Sequence, residues 1–161
     1  MSERAQALAT RFERASGELI AAIEGCDGNA WRATCSDTGW SVGVQADHIV
    51  AAEAFTTDYV GRLAHGEAVE PVPMAAINQG NDQRATQAAS ADKAAVVAQL
   101  RQETTAATRM IRDLGDEQLG RTGQIVAELP AQSVAAWIES LSIGEIERHG
   151  GCLRQALGSG A

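Results

Sequence analysis

The sequence predicts an all-α protein built as a four-helix bundle, and three observations carry that expectation. Four long segments, roughly residues 2–25, 42–65, 91–114 and 132–157, repeat apolar residues at steps of three and four, the mark of one buried helical face. The composition is alanine-rich, 45% hydrophobic but only 4% aromatic, with three prolines, which suits helices better than strands. There is no internal repeat and no low-complexity tail, and 161 residues suffice for one sizeable core. A single domain spanning 1–161 is therefore expected.

In the first segment Leu8, Phe12, Ala15, Leu19 and Ile23 fall on one face, and the segment ends at "CDGN". Ser41 is placed to cap the second helix and Gly66 to stop it. Between 67 and 90, Pro71, Pro73 and Gly80 punctuate a polar stretch longer than most helix connections, in which a short helix is expected. Ser90 is the expected cap of the third helix, whose Val96, Leu100, Ala107, Ile111 and Leu114 face inward. The stretch 124–129, "QIVAEL", is too short to assign as strand or extended loop. The fourth helix closes the bundle. Long connections permit one or two parallel neighbours, and periodicity does not choose among those topologies.

Charge excludes several function classes. A net charge of −8 and no basic stripe argue against nucleic acid, because phosphate binding needs clustered Lys and Arg. The charged N-terminal residues do not form a signal peptide, and no run reaches the roughly 20 apolar residues of a membrane span. The expected location is the cytoplasm. Cys26, Cys35 and Cys152 are an odd set without knuckle spacing, expected to be free thiols in a reducing compartment.

Chemistry enters where the apolar stripes break. On the fourth helix Trp137, Leu141, Glu145, His149, Cys152 and Ala156 follow one another at helical spacing, so a carboxylate and an imidazole stand where leucines would be expected. An (i, i+4) pair lies about 40° apart around the axis and about 6 Å along it. His48 heads another stripe, with Ala52, Phe55, Tyr59 and Leu63. Burying a carboxylate beside two imidazoles is costly unless a divalent metal offsets the charge and takes the ring lone pairs. Two His and one Glu suit zinc, with nickel, iron or manganese as alternatives, and leave a coordination position open. A helix-surface ion pair and a hydrogen-bonded core histidine are the competing explanations.

Cys152 is close enough along the helix to be an alternative ligand, although a small buried thiol is the simpler assignment. His65 reads as a helix-end cap. Trp40 is expected to staple the start of helix two, and Trp31 and Trp137 to fill core or interface space. Asp47, Tyr59, Asn81 and Asp82 are unranked candidates to support the ligands, and no catalytic acid or base is identifiable. No G-x-S-x-G, Walker A, H-E-x-x-H or G-x-G-x-x-G motif occurs.

At these residues the sequence resembles a known family. "GWSVGVQADHIVAAE" is similar to the helix-two signature of DinB-like proteins, and "GEIERHGGCLRQAL" to their last-helix metal motif. His48 with Glu145 and His149 resembles the ligand set of the N-terminal domain of mycothiol-dependent maleylpyruvate isomerases, and "NQGNDQRA" the segment after their helix two. The resemblance implies a four-helix bundle with a long crossover, a divalent metal held by those three residues, and often a homodimer. It further implies that the metal receives a low-molecular-weight thiol such as mycothiol, for S-transfer to or isomerisation of a small electrophilic substrate. Those isomerases carry a second, C-terminal domain that this sequence does not include, so the expected substrate is a small electrophile rather than maleylpyruvate itself. The alternative is a non-catalytic metal-containing bundle that binds a small molecule or a partner.

Overall fold

Helices dominate because each apolar stripe finds a neighbour to cover it. The structure, a computed structural model, describes residues 2–158. Its long helices are α1 (Glu3–Gly25), α3 (Val42–Ala64), α5 (Lys93–Asp113) and a final continuous rod formed by α7 (Val134–Trp137), a π-helical stretch (Ile138–Ile143) and α8 (Gly144–Gly158). Shorter pieces join them: α2 (Gly28–Arg32), α4 (Met74–Gln87) followed by a 3₁₀ turn (Ala88–Ser90), α6 (Asp116–Gly120), and a two-stranded ribbon of β1 (Thr122–Gly123) and β2 (Gln132–Ser133).

Side-chain pairings between helices give the bundle's direction. Arg101 with Glu24 and Arg112 with Glu13 make α5 antiparallel to α1. Glu53 beside Thr104, and Gly61 beside Met110, make α3 parallel to α5. Arg11 pairs with Glu147, and Ala22 and Leu157 line one small cavity, so α8 runs parallel to α1. The order is up, down, down, up, and residues 65–92 are the long crossover that lets α3 and α5 point the same way. The topology that periodicity left open is thus resolved by packing.

Most helix boundaries follow their local chemistry. The side chain of Ser2 accepts from the Ala5 amide, and that of Ser41 from the Val44 amide. Gly66 takes φ 77° after the end of α3, a left-handed conformation only glycine adopts cheaply. Gly43 is needed for a close approach: a Cβ there would lie 2.7 Å from the Trp31 ring. One cap differs from expectation. Asp92, not Ser90, caps α5 by accepting from the Ala95 amide, because Ala88–Ser90 is drawn into the 3₁₀ turn that ends α4.

The core holds Phe12, Leu19, Ile23, Ile49, Leu100, Ile111 and Trp137, all at most 1% exposed. The Trp137 ring N–H donates to the Gly123 carbonyl at 2.9 Å. "QIVAEL" is neither strand nor free loop: Ile125 and Val126 are buried, and Val72 pairs with Val126 through a single parallel bridge. The π-helical stretch corrects the simple phase assumed for the last helix. Gly144 N–H donates to the Glu139 carbonyl five residues back, an approach that glycine's missing Cβ eases. The π turn absorbs an extra residue. Ile138, Ser142, Ile143 and Ile146 therefore take the core, and Leu141 is only half-buried.

A His-Glu-His cluster at the floor of a cavity

Two helices supply the cluster, and each does so through helical spacing. Gln45 and His48 lie one turn apart near the start of α3, and Glu145 and His149 one turn apart on α8. Because α3 and α8 are antiparallel, these two turns face each other. Ligand atoms of His48, Glu145 and His149 all lie within 4.8 Å of one another. His149 Nε2 is 3.0 Å from Glu145 Oε2, and the His48 and His149 rings meet edge to face at 5.1 Å.

The surrounding groups hold this arrangement. Gln45, fully buried, places its side-chain Nε2 2.9 Å from His149 Nδ1, and the Thr38 hydroxyl donates to Gln45 Oε1 at 3.0 Å. A neutral His149 with its proton on Nε2 satisfies both contacts. Turning the Gln45 amide over would move that proton to Nδ1 and free the Nε2 lone pair for a metal. Trp40 packs edge-on against His48 at 5.4 Å. Arg148 forms an ion pair with Glu145.

The donor chemistry fits a divalent cation. Ligand bonds of about 2.1 Å at tetrahedral angles put donor atoms roughly 3.4 Å apart, so small rotamer adjustments would bring the three onto one ion. His48 Nδ1 is buried without a hydrogen-bond partner among the described residues, a position costly to leave unpaired. Burial, and then the neighbouring His149, hold the His48 imidazole below its ordinary pKa. Burial pushes the Glu145 carboxyl up, but hydrogen bonds from His149 and Arg148 outweigh it and leave the group below its ordinary value. Neutral imidazole and ionised carboxylate are the forms metal binding requires.

The cluster opens into a cavity of about 870 Å³ between α3, α4, residues 126–132 and the last helix. His48, Ala52 and Phe55 face this cavity half-buried instead of packing in the core, which α3 enters through Ile49, Glu53, Thr56 and Val60. The first three members of the sequence-derived stripe thus form the cavity face, one residue out of phase with the core face, and its last member, Leu63, is buried in the core. Among the supporting candidates, Asn81 lines the cavity. Asp47 is held by Arg84 through bonds of 2.7 and 3.1 Å. Tyr59 stacks on Phe55 at 4.4 Å, and Asp82 is exposed; neither lines the cavity.

Cys152 stands outside the cluster. Its thiol donates to Asp37 Oδ1 at 2.6 Å, and Cys35 beside it is fully buried, where burial and the neighbouring Cys152 push its pKa up to about 12. His65 caps the end of α3, its Nδ1 2.7 Å from the Gly61 carbonyl. Gln45, Arg84 and Arg148 are the residues around the cluster that the sequence analysis did not single out. For Gln45 a signal existed: a polar residue one turn before His48 on a buried face. Arg148 carried one in its i, i+3 spacing to Glu145, and Arg84 only its place in the family-like segment "NQGNDQRA".

Comparison with known proteins gives the site a context. The sequence matches the model of the mycothiol maleylpyruvate isomerase N-terminal domain over residues 12–146. No curated protein sequence matches the chain. Among solved structures, YfiT from Bacillus subtilis, described as a probable metal-dependent hydrolase with an unusual four-helix bundle topology, is 16% identical with a TM-score of 0.74, covering 97% of this chain and 87% of that one. An uncharacterized protein from Clostridium difficile 630 is 11% identical, with a TM-score of 0.76 and 96% of each chain covered. A mycothiol-dependent maleylpyruvate isomerase is 10% identical at a TM-score of 0.74, covering 95% of this chain and 63% of that longer one. At these identities the structures share the fold.

Proposed function

We propose, from the premise that the chain belongs to the mycothiol maleylpyruvate isomerase N-terminal domain family, that it is a metal-dependent enzyme acting on a small electrophile with a low-molecular-weight thiol such as mycothiol. The observation that carries this reading is the convergence of His48, Glu145 and His149 at the floor of an open cavity. Those three residues would hold the ion, with zinc favoured by the donor set and nickel, iron or manganese as alternatives. A metal bound there supplies Lewis acidity that lowers the pKa of a thiol at its open position.

The chain's own groups do the rest. Gln45 fixes the His149 ring, Trp40 limits His48, and Arg148 keeps Glu145 ionised. The cavity admits both thiol and electrophile, and S-transfer and isomerisation share the first step of thiolate attack. A single domain over 1–161, a cytoplasmic location and a homodimer belong to the same reading. Among the described residues no helix is long and apolar enough to cross a membrane.

Metal analysis of protein purified without a histidine tag tests the site. About one ion per chain is expected in the wild type and a negligible amount in His149→Ala and Glu145→Ala. Negligible metal in all three refutes it. Cobalt-substituted protein tests the thiol: mycothiol should add a sulfur-to-metal absorption band. If metal binds and neither mycothiol, bacillithiol nor glutathione changes the spectrum, the thiol reading fails. A metal-dependent hydrolase, as YfiT is described, then becomes the better reading, with hydrolysis of an ester or amide panel as its assay. The non-catalytic alternative is less well supported, since three donors opening on a large cavity leave the ion accessible.

A further inference from the structure

Outside the metal cluster, two thiols meet across the bundle. Cys35 belongs to residues 34–41, a tight turn between α2 and α3. Its N–H donates to the Trp40 carbonyl at 2.7 Å and its carbonyl accepts from the Gly39 N–H at 2.9 Å, while Thr34 and Ser41 close the turn as an antiparallel bridge. Cys152 reaches this turn from α8. The Cys35 thiol interacts directly with that of Cys152, and the Cys152 S–H donates to Asp37 Oδ1 at 2.6 Å. Cys35 is fully buried, whereas Cys152 is 7% exposed and lies against the exposed Asp37. The same turn touches the cluster twice, through the Thr38 hydroxyl on Gln45, which faces His149 Nδ1, and through Trp40 on His48. Cys152 stands one helical turn after His149. A bond between the two sulfurs would therefore act on both helices that supply the ligands.

We propose that Cys35 and Cys152 are a redox-active dithiol, which closes to a disulfide by exchange with a low-molecular-weight disulfide and in closing weakens metal binding. Two free thiols are the resting state of such a pair in a reducing compartment. Cys152, the sulfur nearer the surface, gives up its proton by way of Asp37 and attacks one sulfur of the reagent, forming a mixed disulfide and expelling one thiolate. Burial makes Cys35 a slow nucleophile toward reagents in solution, but it is held against its target. It attacks the Cys152 sulfur and expels the second thiolate. The two protein thiols are oxidised, the reagent takes both electrons, and the two protons end on the two thiols released. Closure removes the S–H that Asp37 accepts and draws the turn toward α8, which shifts Thr38 from Gln45. Only the effect on metal rests on the function proposed above.

The probe is glutathione disulfide mixed with glutathione in ratios from fully reducing to fully oxidising, applied to the whole chain carrying Cys26→Ser so that Cys35 and Cys152 are its cysteines. After acid quenching, denaturation and alkylation, intact mass should show both thiols lost together at oxidising ratios, and peptide mapping should show a Cys35–Cys152 cross-link that dithiothreitol reverses. Cys35→Ser in the same background should instead stop with one glutathione on Cys152, and Cys152→Ser should gain none. Desalted oxidised protein should bind metal about tenfold more weakly than reduced protein, the lower end of what losing a ligand's supporting hydrogen bond costs. Competition with a chromophoric chelator reads this, and reduction should restore the affinity. Thiols that stay open to alkylation at every ratio overturn the dithiol. A cross-link that leaves metal affinity unchanged overturns the coupling. A cross-link in a protein that binds no metal in either state overturns the coupling and the metal-dependent enzyme together, and leaves the dithiol standing.

Discussion

Glu53 offers the sharpest quantitative test of how this bundle is held. It lies on the α3 face opposite the cavity, 4% exposed, with Thr104 donating to Oε2 at 3.3 Å and Oε1 without a partner among the described residues. Burial raises its pKa from 4.5 to about 8, opposed by the Thr104 hydrogen bond and assisted by the nearby Glu103 charge. The folded protein therefore keeps a proton that the unfolded chain releases. The stability associated with that proton is complete below pH 4.5 and is lost as pH rises toward 8, at about 1.4 kcal/mol per pH unit. By pH 7 the loss is about 3 kcal/mol, and above pH 8 about 5 kcal/mol.

Glu53→Gln keeps the shape and the acceptor for Thr104 but cannot ionise. Urea denaturation followed by circular dichroism should be run at pH 5, 6, 7 and 8, with chelator present because metal binding would itself shift stability with pH. The variant should gain on the wild type by about 1.4 kcal/mol for each unit of pH through the middle of this range, flattening toward pH 8. A constant cost from the extra amide hydrogens shifts the whole curve and leaves the slope difference intact. Parallel pH profiles would refute the assignment of Glu53 as a buried neutral acid.

Other outcomes follow from the same structure. Gln45→Leu removes the group facing His149 Nδ1 and should weaken metal affinity by about 10- to 100-fold, measured by competition with a chromophoric chelator; Gln45→Glu, which can still accept from Nδ1–H, should recover most of it. The lowered pKa values of His48 and Glu145 keep both in binding form across neutral pH. Metal uptake should therefore persist into mildly acidic solution and be lost as pH falls through the His48 titration, which equilibrium dialysis over a pH series will read; loss already at neutral pH would contradict the assigned environments. Gly43→Ala forces the Trp31 ring away and strains its 3.1 Å hydrogen bond to the Ala91 carbonyl. That should cost about 1–3 kcal/mol, visible as a lower melting temperature and altered tryptophan fluorescence.

What the amino-acid order determined by itself was local. The four long helices, the Ser41 cap, the Gly66 stop and the shared face of Glu145 and His149 depend on residues three or four apart, where backbone periodicity alone dictates neighbours. His48 was legible as a partner because a titratable ring interrupts an apolar spacing, and the family resemblance of both segments agreed with that reading. Tertiary structure decided the rest. The parallel course of α3 and α5 depends on a crossover whose path is set by packing, the π turn rephases the last helix through one close approach at Gly144, and the cavity wall joins Val72 to Val126. Arg84 and Gln45 acquire meaning only when α4 and α8 are laid against α3. Such pairings join residues 37 and 104 positions apart, and no local period encodes them, because what selects them is the burial and charge compensation available once the chain has closed on itself.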